Sequence, residues 1–514
     1  MNRIHRFFAA CALLVAACAS PVEAGDDRLH VIVLHTNDIH GQVLPRKATW
    51  LKQDPAPMVG GLPRVAAYVE RVRHEAFVAD DIVFVVDAGD WYQGTPEGLL
   101  DDGAGFVRAL NYIGYDALCV GNHDFDHGIP NLKAILKETN LPAVAGNLEE
   151  KSTSKRVDWV APWRVVERGG FTIGFVGLVT PVTPEITHPD SRTLNFVDPG
   201  LALTRAKEHL KGKVDWIVPL THLGVEEDRA LARAHPEIDL IVGGHSHTFL
   251  SSGVREGSTL IVQAGSKASS VGRVDLYFDK ASKKLLESTA KLVDLDAEPP
   301  AEMAEKPLSI ICSILVRRTE ERMKEKIGDL VVSAERAKNP IASSPLGNLV
   351  ADAVRDHARA DVGLMNRGGI RADMQAGPVT RRDVFEVLPF ENNIVVLKMT
   401  GAELTDMIKS SVEGKAHSGI EVSGIVIDVK VDEKGERTLT GLRTGSGAVD
   451  PEHVYRVAMN SFMADGGDAY IRKVQPGDKR TDDPALLRDV LEALFVNKKT
   501  VTAPTDNRYA VTKP

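Results

Sequence analysis

Five apolar runs in the first half of the chain end in side chains that a buried strand cannot hold without partners. They are LHTNDIHG with Asp38 and His40, VVDAGDW with Asp90, VGNHDFDHG with Asn122, His123 and Asp126, PLTHLG with His222, and VGGHSHT with His245 and His247. Continuous β-branched runs separated by amphipathic stretches such as GGLPRVAAYVERVRHEA predict strands buried on both faces and covered by helices, a layered α/β domain. In such a sheet, strand ends of one sense line a single edge, and that edge is where open α/β folds bind ligands. In an extended strand, residues two apart share a side at about 7 Å, so Asp-x-His and His-x-His can each aim two ligands into one site.

Carboxylate, imidazole and amide donors in this mixture suit Zn, Mn or Fe rather than Ca, which prefers oxygen alone. They are too many for one tetrahedral ion. Two ions bridged by a carboxylate, about 3.5–4 Å apart, would use them all and would grip both the attacking and the leaving oxygen of a phosphoryl displacement. Taken singly, His222 in THLG or His40 in DIHG reads as a loop histidine, and an Asp before Gly as a turn former. Recurrence at five strand exits favours the metal.

The chain has 514 residues, enough for two domains, and a formal net charge of -9 from 62 Lys and Arg against 71 Asp and Glu. That balance argues against a nucleic-acid binder and requires any anionic substrate to be held by local positive charge. Residues 1–24, MNRIHRFFAACALLVAACASPVEA, have a basic start, an apolar run and a small-residue end, the pattern of an export signal. Cleavage after VEA would release a soluble periplasmic or secreted protein, the favoured reading; LVAAC ending at Cys18 resembles a lipoprotein signal, and membrane attachment is expected only if Cys18 carries lipid. No later stretch is apolar for the ~20 residues a spanning helix needs. Cys119 and Cys312, distant in sequence, read as buried inert thiols.

Alternating strand and helix patterns run to about residue 296. A proline-opened, charge-rich helical stretch at 297–327 reads as a connector, and a second mixed α/β region follows at 328–514. The sequence contains neither an internal repeat nor a low-complexity tract.

The order D-x-H, G-D, G-N-H-D, H, G-H-x-H resembles the fingerprint of the calcineurin-like metallophosphoesterases. GNHDFDHG, GNL at 146–148, NRGGIR at 366–371, VLPFENN at 387–393 and ADGGDAY at 464–470 resemble the 5′-nucleotidase family within them, over nearly the whole chain after the signal. The resemblance implies a four-layered α/β/β/α metallophosphoesterase domain at 25–296 and a mixed α/β substrate-binding domain at 328–514, joined by a helix that lets the halves rotate. It implies one metal on Asp38, His40, Asp90 and His247, and another on Asp90, Asn122, His222 and His245, both divalent and of the Zn or Mn kind. Asn122 would also hydrogen-bond phosphate, and His123, oriented by Asp126, would face the leaving oxygen; Asp124, where relatives carry Glu, would be structural.

In the second domain the resemblance assigns Arg371 to the substrate and Tyr470 to base stacking. Arg367, where relatives have a small residue, reads equally as a surface cation or a substrate contact, and Asp468 as a turn former or a ligand contact. A second stacking ring is missing: KAHSGIEVSG offers only His417 or Ile420. The implied activity is that of an exported metal-dependent phosphoric monoester hydrolase, releasing phosphate from nucleoside 5′-monophosphates by in-line attack of a metal-activated water. A 2′,3′-cyclic phosphodiesterase with 3′-nucleotidase activity, a UDP-sugar hydrolase, a thiosulfate-ester hydrolase and, more remotely, a non-catalytic nucleotide-binding surface protein are the alternatives. The preferred base, the metals loaded and the oligomeric state are left open.

Overall fold

The computed structural model describes residues 27–48, 55–295, 306–414, 419–471 and 479–513. The expected export signal with Cys18, the first part of the expected connector and His417 lie outside the described residues.

The first half is built on two six-stranded sheets. One has the order Leu285–Asp294, Ser270–Asp279, Arg28–Thr36, Ile82–Asp87, Ala117–Cys119, Ala143–Val144. The other runs Val254–Glu256, Thr259–Val262, Leu240–Gly243, Trp216–His222, Phe171–Val179, Trp163–Arg168. Their inner faces share one apolar cluster that includes Val31, Val33, Phe84, Phe175, Leu220, Val242 and Val274, with the Phe84 and Phe175 rings 5.8 Å apart. Because these strands are buried on both faces, they read as unbroken apolar runs rather than alternating ones. Helices Leu62–Ala79, Ala104–Leu110 and Gly128–Thr139 cover the outer face of the first sheet. Helices Pro199–Leu210 and Val225–Ala234 cover the second. This is the expected α/β/β/α arrangement.

Parallel pairing sets the direction in which side chains leave the sheets. Arg28–Thr36 pairs in parallel with Ile82–Asp87, which pairs in parallel with Ala117–Cys119. In the second sheet Trp216–His222 pairs in parallel with Leu240–Gly243. The C-terminal ends of these five strands, the places where the motif residues stand, meet at one end of the sandwich.

Helix Pro307–Met323 buries Leu308, Cys312, Leu315 and Thr319, an i, i+4, i+7, i+11 stripe, and the first three join the outer cluster of the first half. The connector is thus a packed element of that half rather than a free rod. Cys312 and Cys119 are both free and buried. Beyond the helix, a five-stranded sheet ordered Ile420–Ser423, Val362–Asn366, Val454–Asn460, Asn393–Thr400, Arg480–Leu486 packs with helices Pro345–Ala358, Gly401–Val412 and Leu487–Lys498 into cores of its own.

The halves touch through polar contacts. Buried Glu97 receives both terminal nitrogens of Arg382 and the Thr319 hydroxyl, Gln93 donates its amide to Pro389 O at 3.4 Å, and Arg192 donates to Asp465 O at 3.1 Å.

His30 ties Arg28–Thr36 to its surroundings, with Nδ1 2.9 Å from Asp81 and Nε2 3.0 Å from Asp275. The Asp275 hydrogen bond, opposed by burial and helped by Asp81, raises its pKa above 6.5. A raised folded-state pKa stabilises the protonated form, so the contribution is complete below pH ~6.5 and is lost as pH rises through the raised value. Thermal melting should therefore separate wild type from His30→Asn at pH ~6 and bring the two closer by pH ~9; a constant gap would contradict this pairing.

Candidate active site

Each motif residue is placed by the turn that follows its strand. Asp38 and His40 come after Arg28–Thr36, Asp90 after Ile82–Asp87, Asn122 and His123 after Ala117–Cys119, and His245 and His247 after Leu240–Gly243; His222 is the last residue of its strand. Asp38, His40, Asp90, His245 and His247 all have positive φ, between 50° and 75°. The Asp-x-His and His-x-His pairs therefore converge through tight left-handed turns, not through the extended two-residue repeat expected from sequence. Non-glycine residues rarely adopt this backbone, and it clusters where function demands a set geometry.

Glycines admit the close approaches. A Cβ at Gly121 would lie 2.2 Å from Asp90 Oδ1, and one at Gly89, whose φ is 100°, would lie 2.7 Å from His222 Nδ1. Asp124 binds the two turns together by accepting hydrogen bonds from the backbone N–H groups of Gly121 (2.8 Å), Trp91 (2.9 Å) and Asp90 (3.2 Å). Its structural reading from sequence thereby gains a contact: it holds the Asp90 turn.

Asp38, His40, Asp90 and His247 bring their ligand atoms within 4.8 Å of one another. His222 Nε2 stands 3.1 Å from Asp90 Oδ2 and 3.1 Å from Asn122 Oδ1. His245 packs its ring edge against His222 at 5.1 Å and donates its backbone N–H to Asp38 Oδ2 at 3.0 Å. Asp90 belongs to both groups, as a bridging carboxylate must.

The donor chemistry fits divalent cations. His40 Nδ1 is 2.8 Å from Gln93 O and His222 Nδ1 is 2.7 Å from Ala88 O. A carbonyl only accepts, so each Nδ1 carries a proton and, in the neutral ring, Nε2 turns a lone pair inward. There it meets other acceptors: His40 Nε2 is 3.1 Å from His247 Nε2, and His247 Nε2 is 3.2 Å from Asp38 Oδ1. Such an array repels itself until positive charge enters. The pKa directions say the same. Against burial, Asp90 and Asp38 push His222 up to about 10, while His247 and His222 pull Asp38 down to about 2. Burial depresses His40 strongly and brings His245 to about 3, leaving both as neutral ligands.

His123 Nδ1 is 2.7 Å from Asp126 Oδ2, and its ring lies between His40 at 5.5 Å and Phe390 at 5.3 Å, stacked on the latter. Burial lowers its pKa, but the Asp126 and Asp90 charges outweigh it and the net direction is up.

All of this opens into a cleft of about 710 Å³ between the halves, whose opposite wall carries Asn366, Gly368, Arg371, Phe390, Phe462 and Asp468. Arg371 sits over the Phe390 ring at 5.7 Å. Asp468 lines the cleft and also accepts from Asn366 Nδ2 at 3.3 Å.

Three substrate expectations need correction. Tyr470 does not line the cleft: it is 3% exposed in the second half's core and donates its hydroxyl to Gly419 O. Ile420, offered as an aliphatic partner, is equally buried. The ring that faces the cleft is Phe462, in the same SFMADGGDAY segment, with Phe390 from VLPFENN beside His123. Arg367 is neither a surface cation nor a cleft residue. It is held by Asn339 O, Ala342 O and the Glu421 carboxylate, over the Tyr509 ring.

A profile of the calcineurin-like phosphoesterases matches residues 32–249, and one of the 5′-nucleotidase C-terminal domain matches residues 324–474. The chain belongs to the 5′-nucleotidase family of calcineurin-like phosphoesterases. Like other members of this 5′-nucleotidase family it is a phosphoester hydrolase, and its fold class uses divalent metals. It is 28% identical over 549 residues to a 5′-nucleotidase of Vibrio cholerae, covering 96% of this chain and 95% of that one. To the protein UshA of Yersinia enterocolitica it is 28% identical over 492 residues, 87% of each. The crystal structure of a 5′-nucleotidase precursor from Thermus thermophilus superposes with a TM-score of 0.82 at 29% identity, over 94% of this chain and 99% of that one.

A cation entering the site must displace the proton on His222. Calorimetric titration with Mn²⁺ should therefore show proton release, with affinity rising from pH ~6 to ~8, and Asp38→Ala should remove the binding. Binding independent of pH, or undiminished in the variant, would contradict the ligand reading.

Proposed function

We propose that the protein is an exported 5′-nucleotidase that releases phosphate from nucleoside 5′-monophosphates. The observation that carries this is the cleft of about 710 Å³ that joins the Asp and His cluster of one half to Arg371 and Phe462 of the other. Its size suits a nucleotide, and its polarity is divided as a nucleotide's is.

Asp38, His40, Asp90 and His247 would hold one divalent ion, and Asp90, Asn122, His222 and His245 a second, of the zinc or manganese kind. When bound, such a pair neutralises the phosphate dianion and activates a water. The chain's own groups do the rest. Asn122 adds a neutral amide that can donate to a phosphate oxygen. Arg371, half-buried beside the cluster and over Phe390, supplies fixed positive charge. His123, with its Nδ1 proton fixed on Asp126, turns Nε2 to the cleft as proton donor for the departing oxygen. Phe462 offers a face to the base, worth about 1–3 kcal/mol, and Asn366 and Asp468 offer polar atoms to sugar hydroxyls. Rotation of the halves past the end of helix Pro307–Met323 would admit substrate.

Export is supported by the signal pattern of residues 1–24; among the described residues, no helix is long and apolar enough to cross a membrane.

The test is phosphate release from 5′-AMP by the protein beginning at Gly25, with Mn²⁺, beside a chelated sample and His123→Ala. Metal-dependent release falling by ~10²–10⁴ in the variant is expected. If 5′-AMP stays intact while the protein binds metal, the monophosphate assignment fails, and a 2′,3′-cyclic nucleotide and a UDP-sugar, run in parallel, identify the ester it takes.

A further inference from the structure

The Asp126 carboxylate makes two hydrogen bonds, and only one is to His123. Its Oδ2 meets His123 Nδ1 at 2.7 Å, and its Oδ1 accepts from the Thr187 hydroxyl at 2.7 Å. The terminal torsion of an aspartate is broad and roughly two-fold, so one bond alone leaves the carboxylate plane free to swing. The second bond fixes that plane and with it the imidazole plane, hence the direction of Nε2. Thr187 is 7% exposed and lies between helix Thr183–Ile186 and the short turn Pro189–Thr193.

That segment is fastened at both ends. Asp190 accepts from Ile129 N at 2.9 Å, at the start of the helix that follows the His123 turn. Arg192 crosses to the second half, donating from Nε to Pro184 O and from Nη2 to Asp465 O, both at 3.1 Å. Asp465 directly follows helix Ser461–Ala464, which carries Phe462, and its carboxylate is held 2.9 Å from Arg480. Hydrogen bonds at Asp126 and Asp465, joined by the backbone between Thr187 and Arg192, therefore link the base-facing wall to the carboxylate behind the proton donor.

We propose that Thr187 is a positioning residue for protonation of the leaving oxygen, and that its loop, tied to the second half through Arg192, aligns the donor only when that half is docked. The inference rests on the reading of His123 as the donor. In the step concerned, the bond from phosphorus to the leaving oxygen breaks with its electron pair on oxygen, that oxygen takes the proton from His123 Nε2, and water provides the new oxygen on phosphorus, one of its protons staying on phosphate and the other passing to solvent, from which His123 is reprotonated. A leaving group that is already stable as an anion needs no such proton.

The experiment compares wild type, Thr187→Val, Thr187→Ser, Arg192→Ala and His123→Ala on 5′-AMP, which loses an alkoxide, and on p-nitrophenyl phosphate, which loses a stabilised phenolate. Metal content and melting temperature are measured for each. Thr187→Val is expected to lower kcat on 5′-AMP by ~10-fold with KM little changed, the scale typical of outer-shell partners, and to alter p-nitrophenyl phosphate turnover less than ~2-fold. Thr187→Ser should restore 5′-AMP turnover, and Arg192→Ala should show the same selectivity in weaker form. Equal losses on both substrates, or no loss, in Thr187→Val while His123→Ala discriminates between them would overturn the proposal and leave the donor reading intact. If His123→Ala itself fails to discriminate, the donor reading falls and this inference with it.

Discussion

Two carboxylates, Asp38 and Asp90, sit fully inside the protein and must be given positive charge. Uncompensated, a buried anion is costly enough to change its protonation or to unfold its surroundings. Here His222, raised against burial to about 10 by Asp90 and Asp38, supplies such charge, while His40 and His245 stay neutral; backbone carbonyls fix His40 and His222 so that their inward nitrogens are acceptors in the neutral form. The site thus favours a proton on His222 and offers its remaining donors to a divalent ion. Five of its residues hold left-handed backbone, at a cost of order 1–3 kcal/mol each. The sandwich core beneath, with Phe84 against Phe175, is what makes that strain sustainable.

The motif residues were legible because each chemical group follows an apolar run, and parallel strands deliver such groups to one edge. The route by which they converge was not. Period-two geometry picks out Asp38 with His40 and His245 with His247, yet these residues lie beyond their strands in tight turns, and nothing in residue spacing reports a positive φ. A layered α/β first half and a second α/β half were also readable, since two-face burial leaves continuous apolar runs, whereas the four-layered order came from the family resemblance alone.

The cleft wall contributed by the second half was harder to read. SFMADGGDAY holds two aromatic residues eight apart, and pattern alone does not say which faces solvent. Phe462 lines the cleft, while Tyr470 is committed to the core by its hydroxyl on Gly419 O. Arg367 misled for a similar reason: a cation in a glycine-rich turn suggests an anionic ligand, but two carbonyls and Glu421 already engage it. Thr187 and Arg192 had no signal of their own, and Phe390 stood in the VLPFENN motif without a role assigned to it. Their importance arises from contacts across 60 or more residues, such as that of Thr187 with Asp126.

The account depends on the two ligand groups sharing Asp90 and acting together. Anomalous scattering from crystals of the Mn²⁺-loaded protein tests this directly. It predicts two peaks about 3.5–4 Å apart, one enclosed by Asp38, His40 and His247 and the other by Asn122, His222 and His245, with the Asp90 carboxylate between them. A single peak, or a second one away from Asn122 and His222, would contradict it.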